Sequence, residues 1–316
     1  MPATPDALLG ALAELPLVVE DVTVRSGAAP LLSYPGGRRP HSTVTLVGDG
    51  VAGSGEHVGW SDAEHAAFRR AAAVAPRGRW RLGAWSAALA GTPYDRAALE
   101  AAAIDLALRQ ADTGLARLAG GAPRPVRYVV SFARVADPVA EAERHAGMDL
   151  KVDVDPAWDD AVWRGLGSLG RVAVLDFKGE AGAARAHRFV PAALLEDAAD
   201  PVAARASFDA TLRSAADLDR LRVRPAAVNV KPARMGGVLE ALRLIARAAA
   251  AGIDVYLGGM FEVDVGRRQL HALAALVCAD GPNDVAPLSG PRPARIAVDP
   301  AAPGFGGVLV RAPVAC

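Results

Sequence analysis

Along the second half of the chain, polar residues recur where short apolar β-type runs end, and their types define the chemistry on offer. In VNVKPARMGG (228–237) Lys231 closes such a run. Pro232 cannot extend a hydrogen-bonded strand, and Gly236–Gly237 open an amphipathic stretch. Lys151 and Asp153 sit in LKVDV (150–154), Asp176 and Lys178 in RVAVLDFKG (171–179), Glu196 in AALLEDA (192–198) and Asp209 in ASFDA (206–210). Glu262 ends IDVYLGGMFE (253–262). Alternation of side chains along a strand puts Lys151 with Asp153, and Asp176 with Lys178, on shared faces. Carboxylates from three consecutive strand ends would converge on one hard cation. Oxygen donors without a His or Cys cluster suit Mg²⁺ or Mn²⁺ better than Zn²⁺. Without a cation, such a buried trio repels itself. A lysine at a strand end serves as a base near neutral pH only when burial or a neighbouring cation lowers its pKa.

The elements that must position these groups read as repeated strand–helix units. Strands are expected at 126–132, 150–154, 171–179, 192–198, 206–210, 226–231 and 253–262, with a weaker eighth at 283–288 (NDVAPL). Helical segments such as PAWDDAVWRGLGSLG and LRSAADLDRL fall between them. This alternation implies a parallel sheet, and eight strand candidates favour a closed barrel. Residues 123–290 are short for such a barrel, so some connecting helices must be trimmed. The span from Glu196 to Asp209 has no room for a full helix. Residues 1–122 read as a separate α+β unit, strands first in LVVEDVTVRS and STVTLVGDGVAGSGEHVGW. Helical composition follows in AEHAAFRRAAAVA and in YDRAALEAAAIDLALRQADTGLARLAGG, which Gly120–Gly121 stop. GDGVAG (48–53) matches a dinucleotide-binding spacing, but strand-like sequence follows it, so it reads as a hairpin turn. Residues 291–316 are expected to pack back on the first unit.

The chain has 316 residues, of which 52% are hydrophobic, enough for a large core. Lys plus Arg and Asp plus Glu number 35 each, which argues against nucleic acid or an anionic membrane as partner. Two cysteines, Cys278 and Cys316, form no framework and fit a reducing compartment. The N-terminus carries Asp6 and Glu14 and no basic segment, unlike a signal peptide. A cytoplasmic protein is expected.

The stretch VNVKPARMGGVLEALRLIARAAAAGIDVYLGGMFEVDVGR (228–267), with LEAAAIDLAL (99–108) and GSGEHV (53–58), resembles the enolase superfamily. The likeness is to its muconate-cycloisomerase-like and o-succinylbenzoate-synthase-like branch. It covers most of the chain and is weakest over 180–225. It implies an α/β fold, a modified (β/α)7β TIM-type barrel with an N-terminal α+β capping domain. Asp176, Glu196 and Asp209 would take the metal-ligand positions for Mg²⁺ (or Mn²⁺), and Lys231 that of the strand-six lysine. The activity implied is removal of a proton α to a carboxylate, then elimination or isomerisation of a small carboxylate substrate. A homo-oligomer is also implied. The branch usually carries Lys-x-Lys on strand two, whereas here the motif is Lys151-Val152-Asp153; strand three usually reads Asp-x-Asn and here reads Asp176-Phe177-Lys178. A lysine has moved to the neighbouring strand end, where it pairs with Asp153, replaces the lost base or reaches the metal site. One-base chemistry from Lys231 survives this change better than two-base racemisation.

Each residue also has an ordinary reading. The acids could be solvated loop residues, Asp197 is a weaker substitute for Glu196, and Lys178 could merely bridge to Asp153. Lys151 and Glu262 could only support the residues beside them. Arg38 and Arg39 are candidates for an anionic substrate, and Trp60 for a lid. The loops around Ser33–His41 and Val51–Trp60 would cover the substrate. None of the six histidines falls in a metal-ligand spacing. The rival function is a degenerate barrel acting as a ligand-binding or scaffold protein.

Overall fold

The computed structural model describes residues 4–31, 37–288, 292–306 and 309–311. Residues 33–36 of the expected covering loop, residues 289–291 and Cys316 lie outside them.

The first described element is a helix that the sequence reading did not assign, α1 (Pro5–Ala13), N-capped by Thr4 and burying Leu8 and Leu12. Strands β1 (Pro16–Val19), β2 (Asp21–Pro30), β3 (Arg38–Gly48) and β4 (Val51–His57) follow. β2, β3 and β4 form an antiparallel meander. Asp49 and Gly50 both take positive φ, as a two-residue hairpin matching the sheet twist requires. GDGVAG is therefore a turn between strands, with no helix after it. Helix α2 (Asp62–Ala73) carries a capping box from Ser61 and Glu64. The expected helical region then contains a strand, β5 (Gly78–Arg81), which pairs antiparallel with β1. Helix α3 (Leu82–Ala87) precedes the long α4 (Pro93–Gln110). The helix expected to continue to Gly120 breaks after Gln110, where Asp112 turns left-handed, and resumes only as the short α5 (Leu115–Leu118).

α4 lies flat on β4 because both surfaces are stripped of bulk. A Cβ on Gly53 would come within 2.2 Å of the Leu106 amide nitrogen, and one on Gly55 within 2.2 Å of the Ala98 carbonyl oxygen. The small residues Ala98, Ala102 and Ala103 answer from the helix side.

The second half alternates as expected. In order come β6 (Val129–Phe132), α6 (Pro138–Glu143), β7 (Asp149–Asp153), α7 (Asp160–Ser168), β8 (Val172–Asp176), α8 (Ala183–Phe189), β9 (Leu194–Glu196) and β10 (Ala206–Phe208). β11 (Ala227–Val230), α9 (Pro232–Met235), α10 (Val238–Ala250), β12 (Asp254–Leu257) and α11 (Val265–Val277) complete it. Strands β6 to β12 form one parallel seven-stranded sheet in sequence order. Only a three-residue 3-10 turn, Ala203–Arg205, fits between β9 and β10, and LRSAADLDRL forms a 3-10 turn at Ala215–Arg220 rather than an α-helix. The eighth expected strand is not one: Asn283 bridges Tyr128 and Asp284 bridges Gly258, one parallel bridge each. These single bridges nonetheless touch both edges of the curled sheet. β13 (Ile296–Val298) pairs with β14 (Leu309–Arg311), Ile296 bridges Val126, and the Phe305 amide donates to Asp105 of α4 at 2.7 Å. Among the described residues no helix is long and apolar enough to cross a membrane.

The two halves are clamped by buried acids of the first capping amides of the second. Glu100 of α4 accepts from the Leu239 amide at the start of α10 at 3.0 Å. A Cβ on Gly237 would overlap that carboxylate at 2.1 Å, so the second glycine of the MGG motif leaves room for it. Gly236 ends α9 with a left-handed cap at φ 87°. Glu56 of β4 accepts from the Val263, Asp264 and Gly266 amides, which begin α11. A buried polar chain, Asp95–His57–His65–Ser42, crosses the first half with contacts of 3.0, 3.3 and 2.8 Å.

Two outcomes follow. Gly53→Ala should lower unfolding stability by about 1–3 kcal/mol, since backbone meets the new methyl; a urea midpoint equal to wild type would show that α4 can move aside. His271, packed inside α11 with its Nε2 donating to the Val285 carbonyl, has its pKa pushed down by burial to about 4. The unfolded chain then takes up a proton that the native chain refuses. Stability should fall as pH drops below about 6.5 and level off near 4, by about 3 kcal/mol in total. His271→Gln should lose correspondingly less between pH 7 and 4.5, and an unchanged pH slope would overturn the assignment.

Candidate active site

The parallel register brings the candidate residues side by side. Asp153 of β7 pairs with Asp176 of β8, and Asp176 pairs with Glu196 of β9. Acids adjacent in this way on a shared face repel one another and require cations between them. Lys151 supplies the first. Its ammonium is 2% exposed, lies 3.2 Å from Asp176, contacts Glu196 and stands 3.7 Å from Asp284. Burial alone would lower its pKa, but Glu196, Asp284 and Asp176 outweigh this and hold it well above the ordinary lysine value. Lys151 is therefore a fixed positive charge. Lys178 is the second: its ammonium meets Asp176 and lies 3.1 Å from Asp153. Its backbone is left-handed, φ 52°, and its own amide donates to Asp176 at 3.1 Å. That uncommon geometry for a lysine folds the side chain back over the strand end. The pairing of Lys178 with Asp153 contemplated from sequence is present.

Glu196 is fully buried. Besides Lys151 it accepts from Asn229 Nδ2 at 3.2 Å and from the Tyr256 hydroxyl, which Ser207 in turn meets at 2.8 Å. Burial pushes its pKa up to about 8, with Lys151 opposing and Asp176 and Asp209 adding repulsion. Asp176 is also buried, yet Lys151 and Lys178 hold its carboxyl well below the usual range. Asp209 follows β10. Its Oδ2 accepts from Lys231 at 2.9 Å and its Oδ1 from Arg234 at 2.5 Å. Burial works against ionisation there, and Lys231, Lys151 and Arg234 overcome it, lowering the Asp209 pKa.

Among the described residues, the acids whose oxygens lie within 4.8 Å of one another are Asp176, Glu196 and Asp197. Asp197, read from sequence only as a substitute for Glu196, has φ 51°, and its oxygens accept from the Asp209 and Ala210 amides at 2.9 Å. It thereby anchors the backbone that carries Asp209. The donor set is oxygen throughout, and acids outnumber cations around it, so the residues fit a hard divalent ion.

The covering residues fall around the β12 end. Gly258 lies against Lys231 and Asn229, where a Cβ would come within 2.6 Å of Lys231 Cε. Phe261 has a left-handed backbone at φ 66° and meets Trp60 edge-on at 5.9 Å. Arg39 is fully buried: its guanidinium donates to the Val58, Gly59 and Met260 carbonyls and stacks over Trp60. It ties the loop after β4 to the loop after β12, which is a structural task rather than exposure to an anion. Arg38 is exposed on β3 opposite Pro30, and Glu262 is buried, accepting from the Met260 amide at 2.8 Å. Sequence reasoning did not single out Arg234, Tyr256 or Asn229. Arg234 and Asn229 lie inside the motif it had marked.

Lys151→Met should leave Asp176 and Glu196 without their shared counter-charge. Unfolding stability at pH 7 in metal-free buffer is expected to drop by about 3 kcal/mol or more. A loss under 1 kcal/mol would show that another group neutralises the pair.

The chain matches, over residues 10–118, the model described as "Domain of unknown function (DUF8230) N-terminal domain" and, over residues 122–289, that of the corresponding C-terminal domain. It is 29% identical over 230 residues to an N-succinylamino acid racemase of Thermus thermophilus, covering 63% of this chain and 61% of the relative. It is 29% identical over 226 residues to an o-succinylbenzoate synthase of Geobacillus stearothermophilus, covering 60% and 58%. The alignments thus span about three fifths of the length of these two relatives. Among solved structures, a dipeptide epimerase of Methylococcus capsulatus complexed with Mg superposes with a TM-score of 0.72 at 22% identity, over 94% of this chain and all of that one. An enolase-superfamily member of Enterococcus faecalis does so at 0.72 and 18%, over 92% and 94%. The chain belongs to the DUF8230 family, both of whose domain models it matches, and its fold and relatives are those of the enolase superfamily.

Proposed function

We propose that this chain is an enzyme that removes the proton α to a substrate carboxylate and then isomerises the substrate or eliminates a group from it. The observation that carries this reading is Lys231, whose Nζ lies 2.9 Å from Asp209 at the end of β11, beside the acid cluster. We take β6 to β12, with the bridges at 283–284, as a modified (β/α)7β barrel, and residues 1–122 as its capping domain. Asp176, Glu196 and Asp209 would hold the Mg²⁺. When bound, that ion supplies positive charge to the substrate carboxylate and to the charge that builds on it as the proton leaves.

The chain's own residues divide the remaining work. Lys231 accepts the α-proton on Nζ; the C–H electron pair moves into the carbon–carbon bond of the enediolate. Lys151 holds Asp176 and Glu196 aimed, because its charge is fixed and its ammonium is in contact with both, and with Lys178 it keeps Asp176 ionised. Lys178 stands where strand two lacks its second lysine, held by Asp153 at 3.1 Å. From there it can return a proton, which would permit epimerisation, or stabilise the anion while a leaving group departs. Gly258, Met260 and Phe261 with Trp60 and Arg39 roof the mouth and limit water. The relatives are racemases, epimerases and synthases, and the acid cluster and Lys231 are present together, so a degenerate binding or scaffold role is not favoured.

Exchange of α-protons with deuterated water, over a panel of carboxylic acids with Mg²⁺, tests the reading. Lys231→Ala should lower the exchange rate by about 10² or more, the usual contribution of a positioned base. Exchange that persists undiminished in Lys231→Ala would remove Lys231 from the role. Loss in Lys178→Ala as well would assign Lys178 to the reaction.

A further inference from the structure

Glu196 is held by side chains from other strands of the sheet, and they are divided unevenly between its two oxygens. Oε1 meets the Lys151 ammonium of β7. Oε2 accepts from Asn229 Nδ2 of β11 at 3.2 Å and from the Tyr256 hydroxyl of β12. Asn229 and Tyr256 are register partners, so two adjacent side chains aim at one oxygen. All of these groups are buried. The single proton of the phenol goes to Glu196, so the Ser207 hydroxyl of β10, 2.8 Å away, donates to the phenol oxygen and steadies it. Each bond in such a chain strengthens the next. An ionised carboxylate has about four acceptor sites, two on each oxygen. On Glu196 both sites of Oε2 are filled, whereas among the described residues Oε1 has Lys151 alone. Asp176 is similar by other means: its Oδ2 meets both Lys178 and Lys151, while its Oδ1 accepts from the Lys178 amide. Each acid thus has one oxygen fully engaged.

We propose that Tyr256, backed by Ser207 and joined by Asn229, determines which ion the acid cluster takes: by closing Oε2 it makes Glu196 a one-oxygen ligand and so selects Mg²⁺ against Ca²⁺. The inference rests on the reading of Asp176, Glu196 and Asp209 as metal ligands and adds the basis of their preference. Mg²⁺ is small and demands a near-ideal octahedron. The two closely spaced oxygens of one carboxylate cannot serve as neighbouring corners of it. Ca²⁺ is larger, gathers more oxygens and takes carboxylates through one oxygen or through both. A Glu196 with Oε2 unheld would offer both oxygens and suit the larger ion. Two donors on Oε2 close that mode and leave Oε1, which Lys151 holds in place. Tyr256 is therefore a positioning residue, acting on the ion through Glu196.

Calorimetric titration of the full chain with magnesium chloride and, separately, with calcium chloride tests this in wild type, Tyr256→Phe and Ser207→Ala. Wild type should bind Mg²⁺ more tightly than Ca²⁺. Tyr256→Phe keeps the ring and removes the donor, which returns a free site to Oε2. The ratio of Mg²⁺ to Ca²⁺ affinity should then fall about tenfold or more, the usual effect of removing a group that orients a metal ligand. Ser207→Ala leaves the phenol without its support and should move the ratio the same way by a smaller factor. Equal losses for the two ions in Tyr256→Phe, as a merely structural defect would give, or an unchanged ratio, would overturn the role of Tyr256. If circular dichroism shows that Tyr256→Phe does not fold, an unchanged ratio in Ser207→Ala overturns it instead. A wild type without preference for Mg²⁺ would do so as well. Binding of neither ion to wild type would overturn the metal reading and this inference together, whereas a ratio that the variants leave unmoved would overturn the inference alone.

Discussion

The centre of this molecule depends on one buried ammonium. The parallel sheet sets Asp153, Asp176 and Glu196 in adjacent registers, an arrangement that electrostatic repulsion disfavours in a low-dielectric interior. Lys151 resolves it by lying in contact with Asp176 and Glu196 at once, with Asp284 beyond them. Its charge is secure because three acids surround it, and their ionisation relies in turn on it. Burial first, and repulsion from Asp176 and Asp209 after it, raise the pKa of Glu196 against the pull of Lys151.

A second constraint joins the two halves of the chain. Buried carboxylates of the first half, Glu56 and Glu100, bind amides that begin helices of the second. Each helix start has amides that lack partners within the helix, and here the partner comes from the other layer. The second glycine of the MGG motif is explained by the same contact, since Gly237 must make room for Glu100. The helix after Lys231 is thus positioned by the first half, and Lys231 with it. Arg39 performs a similar service for the loops after β4 and β12, using carbonyl acceptors in place of amide donors.

The local chemistry of Lys178 shows how a strand end can acquire a new charge without a new strand. A left-handed backbone is unfavourable for a lysine, and the cost is offset by contacts to Asp176 and Asp153. Asp153 at the end of β7 serves as the anchor for Lys178, which follows β8.

Much of this could be read in the amino acids. Alternating strand and helix composition from residue 126 onwards determined a parallel sheet in sequence order, and the polar residues at the strand ends marked where a site would form. The Gly-rich hairpin and the missing helix between Glu196 and Asp209 were equally legible, because turn chemistry and chain length are local properties. Other features were decided only by tertiary structure. Asp209 and Asp197 look alike in sequence, yet one faces Lys231 and Arg234 while the other holds the backbone of its neighbour. Arg39 reads as a loop arginine and is fully buried. Tyr256 on β12 reads as a strand aromatic, and its hydroxyl reaches Glu196 three strands away. The reason is common to all three. Composition and periodicity report what each segment does with its own backbone, whereas the partner of a buried charge is set by segments far along the chain that the closed packing brings beside it.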